Sequence, residues 1–178
     1  MPNIYRTNTE GATVVDNDQR IIDAVITTTA TDRDGDVIET KGIEINNFLK
    51  NPVVLFAHDT NQLPVGKVVS LEKGATSVSA RIQFADTAMG KELFSLYSGG
   101  YMKGWSVGFI PKAWKEIGKK GGKGKLFSEV ELFELSAVPV PSNPEALSKC
   151  KTTEIANYIR KRMIPESISF WRESKGRP

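Results

Sequence analysis

The sequence has few of the residues that build metal and thiol sites. It contains one cysteine and one histidine among 178 residues. One cysteine excludes an intrachain disulfide and suits a reducing compartment. One histidine excludes a multi-histidine metal site, so any chemistry that needs an imidazole must use His58. We therefore expect a protein without a metal or cofactor.

Long apolar runs and a strong net charge are also lacking. No apolar run approaches the roughly 20 residues of a membrane helix, and the polar start MPNIYRTNTEGATVVDNDQR lacks the features of a signal peptide. We expect no membrane association. The net charge of +3, from 24 basic and 21 acidic residues, argues neither for nor against nucleic-acid binding.

The patterns of apolar and turn-forming residues predict a fold with more strand than helix. β-branched and alternating segments predict strands, and capping and glycine signals predict two main helices. The predicted strands are 21–30, 53–57, 65–71, 77–84, 105–114 and 126–138, with a short helix at 45–49 and main helices from Thr87 to about Ser98 and from Pro144 to about Arg162. We predict the α+β class, with a mostly antiparallel β-barrel or strongly curved sheet and the helices packed outside. A single domain over residues 1–162 and a tail over 163–178 are expected.

His58 follows the apolar strand VVLFA in the segment LFAHDTNQLPVG. An imidazole is half-protonated near neutral pH and can act as a general base. A rigid strand end is a usual place for a fixed functional group. The alternative is an ordinary histidine at the end of a strand.

Ser106 lies in GGYMKGWSVGFIP, with Gly104 and Gly108 at two-residue spacing on either side. On a strand these three residues share a face. Such a face is open, so a substrate backbone could approach the hydroxyl. The alternative is a strand whose glycines pack closely against a neighbour.

Three carboxylates fall in the segment SEVELFELSAVPVPSNPEA, at Glu129, Glu131 and Glu134. By alternation Glu134 shares a face with Val130 and Leu132, where a carboxylate is costly unless it is paired. The partner that carries a catalytic meaning is His58, and a salt bridge to a lysine or arginine is the alternative. Glu131 and Asp59 are weaker candidates for the same role.

Three segments, in this order, resemble the signature blocks of the tailed-phage prohead proteases. They are NPVVLFAHD with LPVGKV, GGYMKGWSVGFIP, and ELFELSAVPVPSNPEA, and the resemblance spans about residues 20–150. It implies a serine protease with a barrel fold like that of the herpesvirus assemblins. It also implies a catalytic histidine at His58, a nucleophile at Ser106 and an acid at Glu134. The third member is a histidine in the herpesvirus enzymes, and this chain has no second histidine to supply it.

The resemblance implies further properties of the protein. The expected substrates are the scaffold protein, or a scaffold-like extension of the major capsid protein, and the protease itself. The expected location is inside the procapsid, in the host bacterial cytoplasm. By analogy with the assemblins, the backbone N–H groups around Ser142 and Asn143 are candidate oxyanion donors. The sequence leaves the oligomeric state open, including a homo-oligomer.

Other functions stay open at this point. A catalytically inactive capsid assembly factor of the same fold is one, and a β-barrel that binds nucleic acid through KKGGKGK at 119–125 is another. The co-occurrence of His58, Ser106 and Glu134 favours an enzyme. Cys150 is an alternative nucleophile but falls in a predicted helix. The spacing of DRDGD does not fit a calcium-binding loop, so we interpret it as a structural turn.

Overall fold

The computed structural model describes residues 14–118 and 124–149. These residues form nine strands, one α-helix and two short 3-10 helices at Thr40–Gly42 and Phe48–Lys50. The strands are β1 Val14–Asp16, β2 Ile21–Thr28, β3 Val37–Ile38, β4 Ile43–Glu44, β5 Val53–Phe56, β6 Gly66–Lys73, β7 Ser77–Phe84, β8 Trp105–Glu116 and β9 Lys125–Ala137, and the helix is α1 Ala88–Ser98. The boundary predicted at residue 162 and the tail at 163–178 lie outside the described residues.

One mixed sheet contains all nine strands. Its order is β1-β2-β7-β6-β5-β9-β3, and β4 and β8 also pair with β9. The 13-residue strand β9 organises the sheet, because β8 covers one of its edges while β3, β4 and β5 share the other. Strands β3, β4 and β5 pair in parallel with β9, and the remaining ladders are antiparallel. The prediction of an α+β protein with a mostly antiparallel sheet is confirmed.

The sheet does not close into a barrel, so of the two predicted alternatives, a barrel or a strongly curved sheet, the barrel was wrong. In the described residues β8 pairs only with β9, and no ladder joins β8 to β2. β2 and β8 approach each other but leave a gap between them. At one end of this gap, residues 146–149 form hydrogen bonds to both sides. Val25 N–H donates to Leu147 O, and Trp105 N–H donates to Ala146 O. The rest of the gap stays open as a cleft.

These same bonds explain why the predicted helix at Pro144 does not begin there. The backbone of residues 146–149 is used in extended, strand-like bonds to β2 and to residues 103–105. Asn143 does cap a turn, because its Oδ1 accepts a hydrogen bond from the Glu145 N–H. The remainder of the predicted helix, to Arg162, lies outside the described residues. The helix predicted at 45–49 is a 3-10 turn at Phe48–Lys50.

Helix α1 and its aromatic contacts fix the start of β8. Thr87 caps α1, since its hydroxyl accepts a hydrogen bond from the Gly90 N–H at 3.1 Å, as the sequence predicted. Tyr97 at the end of the helix stacks on Trp105, with ring centroids 4.7 Å apart, and Phe84 of β7 packs against both rings. Trp105 is fully buried. The residue after it is therefore held rigidly in position.

Candidate active site

His58 lies just beyond β5, a strand paired on both edges by β6 and β9. After Phe56 the chain turns through Ala57 and His58, which have φ of 52° and 61°. Left-handed backbone is unfavourable for residues with a side chain. Backbone bonds hold it here, because Ala57 N–H donates to Ala137 O and Asp59 N–H donates to Phe56 O. The turn directs the imidazole back over β9.

The imidazole contacts Glu134, the acid that the apolar pattern of β9 singled out. His58 Nδ1 and Glu134 Oε1 are 2.5 Å apart. The carboxylate side chain is 5% exposed and the imidazole 44% exposed, so the pair joins a buried anion to a solvent-accessible ring. The hydrogen bond to Glu134 and the charge of that carboxylate raise the pKa of His58, and burial offsets part of the effect. This arrangement holds Nδ1 and leaves Nε2 as the ring nitrogen that can act on another group.

Ser106 is the second residue of β8 and lies opposite Ser136 of β9. Its position is fixed by the anchored Trp105, whose Nε1 donates a hydrogen bond to Ser148 Oγ at 2.9 Å. Ser106 is half-buried. It lies close to the end of β8 at which β5 and His58 also meet β9. The two residues predicted to act together are therefore on neighbouring parts of the sheet.

His58 and Ser106 line the same cleft, which is the gap between β2 and the unpaired edge of β8. The cleft has a volume of about 290 Å³, near the lower end for ligand sites. No hydrogen bond among the described residues joins Ser106 Oγ to the imidazole, and such bonds are often long until a substrate is bound. The other lining residues are Ile26, Thr27, Thr28, Ala30, Asp32, Asp34, Asp36, Ile38, Trp105, Val107, Phe109, Ser142 and Asn143.

The glycines beside Ser106 serve close packing within the protein. A Cβ at Gly108 would lie 2.3 Å from Glu134 Oε1, and a Cβ at Gly104 would lie 2.6 Å from Val138 O. The interpretation of Gly104 and Gly108 as an open face for substrate was therefore wrong. The alternative, a strand that packs closely against its neighbour, is the one the structure bears out. Gly108 leaves the space that the Glu134 carboxylate occupies.

The two other acidic candidates are engaged elsewhere. Asp59 Oδ1 accepts a hydrogen bond from the Asn61 N–H at 2.9 Å, within its own turn. Glu131 accepts a hydrogen bond from Asn47 and forms a salt bridge with Lys112. These two contacts hold the pKa of Glu131 below its usual range. Only Glu134, of the three acids, contacts the imidazole.

Two loops contribute to the cleft wall. DRDGD forms a turn, as predicted, in which Asp32 Oδ1 accepts hydrogen bonds from the N–H groups of Asp34 and Asp36. Its three aspartates, Asp32, Asp34 and Asp36, line the cleft, which the turn composition alone did not indicate. Ser142 and Asn143 also line it. None of the described hydrogen bonds uses either of their backbone N–H groups as a donor.

Sequence reasoning missed one member of this group, Ser136. Its hydroxyl donates to Glu134 Oε2 at 2.7 Å and accepts a hydrogen bond from the His58 backbone N–H at 3.0 Å. The available signal was its spacing, two residues after Glu134 in a strand segment that is otherwise apolar.

Comparison with known proteins identifies the family of this chain. The sequence profile described as caudovirus prohead serine protease matches residues 27–161. The chain belongs to the caudovirus prohead serine protease family. This is a family of serine peptidases, and the matched range contains His58, Ser106 and Glu134.

Two curated proteins are similar to this member of the prohead protease family. One is the "Prohead protease" of Escherichia phage T5, 30% identical over 153 residues, which are 83% of this chain and 66% of that protein. The other is the "Capsid polyprotein" of Pseudomonas phage PAJU2, 30% identical over 139 residues, which are 74% of this chain and 20% of that protein. The chain thus spans just under two thirds of the first relative and a fifth of the second.

No solved structure matches this prohead protease family member. The likeness to the herpesvirus assemblin fold therefore stays a prediction. Among the described residues, no helix has the length and apolar character needed to span a membrane.

Proposed function

We propose that this chain is a serine endopeptidase of phage capsid maturation, with Ser106 as nucleophile, His58 as general base and Glu134 as the acid that orients the imidazole. The observation that carries the proposal is the contact between His58 Nδ1 and the buried Glu134 carboxylate, 2.5 Å apart, at a cleft that Ser106 also lines. Membership of a serine protease family supports it.

The chemistry follows from this arrangement. The Glu134 carboxylate accepts a hydrogen bond from the Nδ1–H group, which keeps the proton on Nδ1 and leaves Nε2 unprotonated and able to act as base. His58 removes the proton from Ser106 as the hydroxyl attacks a peptide carbonyl, and later gives that proton to the leaving amine. The Glu134 carboxylate stabilises the imidazolium that forms between these steps. Water then repeats the sequence on the acyl-enzyme and releases Ser106.

The oxyanion of the tetrahedral intermediate needs hydrogen-bond donors. The backbone N–H groups of Ser142 and Asn143 are the candidates, because both residues line the cleft. Asn143 is held in position by its side chain, whose Nδ2 donates to Thr28 O at 3.1 Å. A fixed loop with available N–H groups suits this role, since preorganised donors need no rearrangement during the reaction.

The proposed substrates are capsid precursors: the scaffold protein or a scaffold-like extension of the major capsid protein, and the protease itself. The names of the two relatives, a prohead protease and a capsid polyprotein, support this class of substrate. The proposed location is the procapsid interior in the host cytoplasm.

Co-expression with the capsid precursor of the same phage tests the proposal. Wild-type protein should shorten the precursor, and Ser106→Ala should leave it at full length while remaining folded by circular dichroism. Ser70→Ala is the matched control, because it makes the same change at an exposed serine of β6. Unchanged processing by Ser106→Ala would refute the assignment. A folded wild-type protein that processes no precursor would favour the inactive assembly factor.

A further inference from the structure

Ser136 is completely buried in β9 and connects the two residues proposed to form the catalytic pair. Its hydroxyl donates to Glu134 Oε2 at 2.7 Å. The same oxygen accepts a hydrogen bond from the backbone N–H of His58 at 3.0 Å. One side chain therefore contacts the carboxylate on one side and the backbone that carries the imidazole on the other.

The contact to Glu134 determines how the carboxylate is oriented. Its Oε1 faces His58 Nδ1, and its Oε2 is occupied by the Ser136 hydroxyl. Glu134 is only 4% exposed, so water cannot readily replace a lost donor. A buried acceptor that loses its partner destabilises the fold, and more so when it is charged. The Ser136 bond thus fixes the plane of the carboxylate with one oxygen directed at the imidazole.

The contact to His58 supports a strained turn. Ala57 and His58 both have left-handed backbone, which is unfavourable for residues with a side chain. Consecutive residues of β9 accept the hydrogen bonds that hold this turn: Ala137 O from the Ala57 N–H, and Ser136 Oγ from the His58 N–H. Strain held in this way is typical of functional sites.

We propose that Ser136 is a positioning residue, whose hydroxyl holds the Glu134 carboxylate and the His58 turn in the relative geometry that fixes the imidazole tautomer. The proposal rests on the proposed function of the His58 and Glu134 pair. Ser136 also lies opposite Ser106 across the ladder between β8 and β9. The residue that positions the base and the proposed nucleophile therefore form one cross-strand pair.

The single histidine of this chain makes the proposal directly measurable. In nitrogen-15 NMR of the imidazole, the neutral wild-type ring should be protonated at Nδ1 and unprotonated at Nε2. Ser136→Ala should shift this to a mixture of the two tautomers. Turnover should fall by about 10²-fold, the effect of a displacement near 1 Å, with KM nearly unchanged because Ser136 does not line the cleft.

Ser128→Ala is the matched control, because Ser128 lies on the same strand and its hydroxyl donates to Ala113 O. It should leave the imidazole spectrum and turnover unchanged. If Ser136→Ala does not fold, Ser136→Cys replaces it, since a thiol fills the space but is a weak donor. A folded Ser136 variant with the wild-type tautomer and wild-type turnover overturns the proposal. Because the NMR measurement needs no protease activity, an inactive wild-type protein would refute the proposed function while the tautomer still tests the role of Ser136.

Discussion

Gly108→Ala should disable the site by displacing a single carboxylate. Gly108 lies opposite Glu134 across the ladder between β8 and β9. An added Cβ would lie 2.3 Å from Glu134 Oε1 and 2.9 Å from its Cδ. Ordinary contact distances are about 3.5–4 Å, so the carboxylate must retreat by about 1 Å. The backbone of Gly108 does not have a positive φ, so alanine itself fits the strand.

The retreat removes the contact with His58. The Nδ1 to Oε1 distance of 2.5 Å would become roughly 3.5 Å, beyond the usual range of a hydrogen bond. We expect turnover to fall about 10²-fold and the pKa of His58 to fall toward its ordinary value. The stability change should be small, because alanine gains about 0.5–1 kcal/mol over glycine in a strand, which offsets part of the lost bonding.

The assay is turnover on a peptide substrate together with NMR titration of the single imidazole. Gly74→Ala is the matched control, because its added Cβ meets only Ser77, at 3.1 Å, in an exposed hairpin. It should retain turnover and the His58 titration of the wild type. If Gly108→Ala also retains both, the Glu134 carboxylate either moves without consequence or does not hold the imidazole, and our reasoning about the site is refuted.

Two further predictions concern the acid and the pH dependence. Glu134→Gln should lower turnover by roughly 10²–10⁴-fold, because the imidazole loses its preferred tautomer. Glu131→Gln and Asp59→Asn should each lower turnover by at most about tenfold, because these carboxylates bond elsewhere. Parallel turnover measurements on folded variants decide between the three acids. Activity should rise with pH through a pKa above the ordinary 6.5 of histidine, because Glu134 raises the pKa of His58 and the neutral ring is the base. This limb should move to lower pH in Glu134→Gln, and its persistence in His58→Ala would mean that another group titrates. The raised pKa of His58 also links the His58–Glu134 pair to stability. The pair's contribution to the free energy of unfolding is fully present below pH 6.5, and it declines as pH rises through the pKa of His58 in the folded protein.

The fold was predictable where local patterns determine structure. The strand after Ile21, the hairpin of β6 and β7, the capped helix α1 and the long strands β8 and β9 follow from alternation, capping and turn residues. Whether the sheet closes into a barrel was not predictable, because closure depends on the tilt and register of strands that are distant in the sequence. The start predicted for the helix at Pro144 was wrong for a similar reason. Asn143 and Pro144 are typical of a helix start, but hydrogen bonds to β2 and to residue 104 hold the following backbone in an extended conformation.

The site was predictable where a residue is unusual for the sequence segment in which it lies. A lone histidine after a buried strand and a glutamate in an apolar strand both stand out, and the structure brings them into contact. The role of Gly108 was not predictable, because a glycine gives no signal until the neighbouring strand is in place. The spacing of Ser136 placed it on the same face as Glu134, but its contact with the His58 backbone depends on the fold. The left-handed backbone at Ala57 and His58 was equally hidden, since neither residue is a glycine, the residue that adopts it most readily.

Labelling with a serine-directed fluorophosphonate tests the central claim most directly. The reagent should modify the wild-type protein at one residue, which peptide mass spectrometry should locate at Ser106. Labelling should be retained in Cys150→Ser and lost in His58→Ala, because the hydroxyl reacts only when the imidazole accepts its proton. Labelling at any other residue, or labelling of Ser106 that does not depend on His58, would contradict the account.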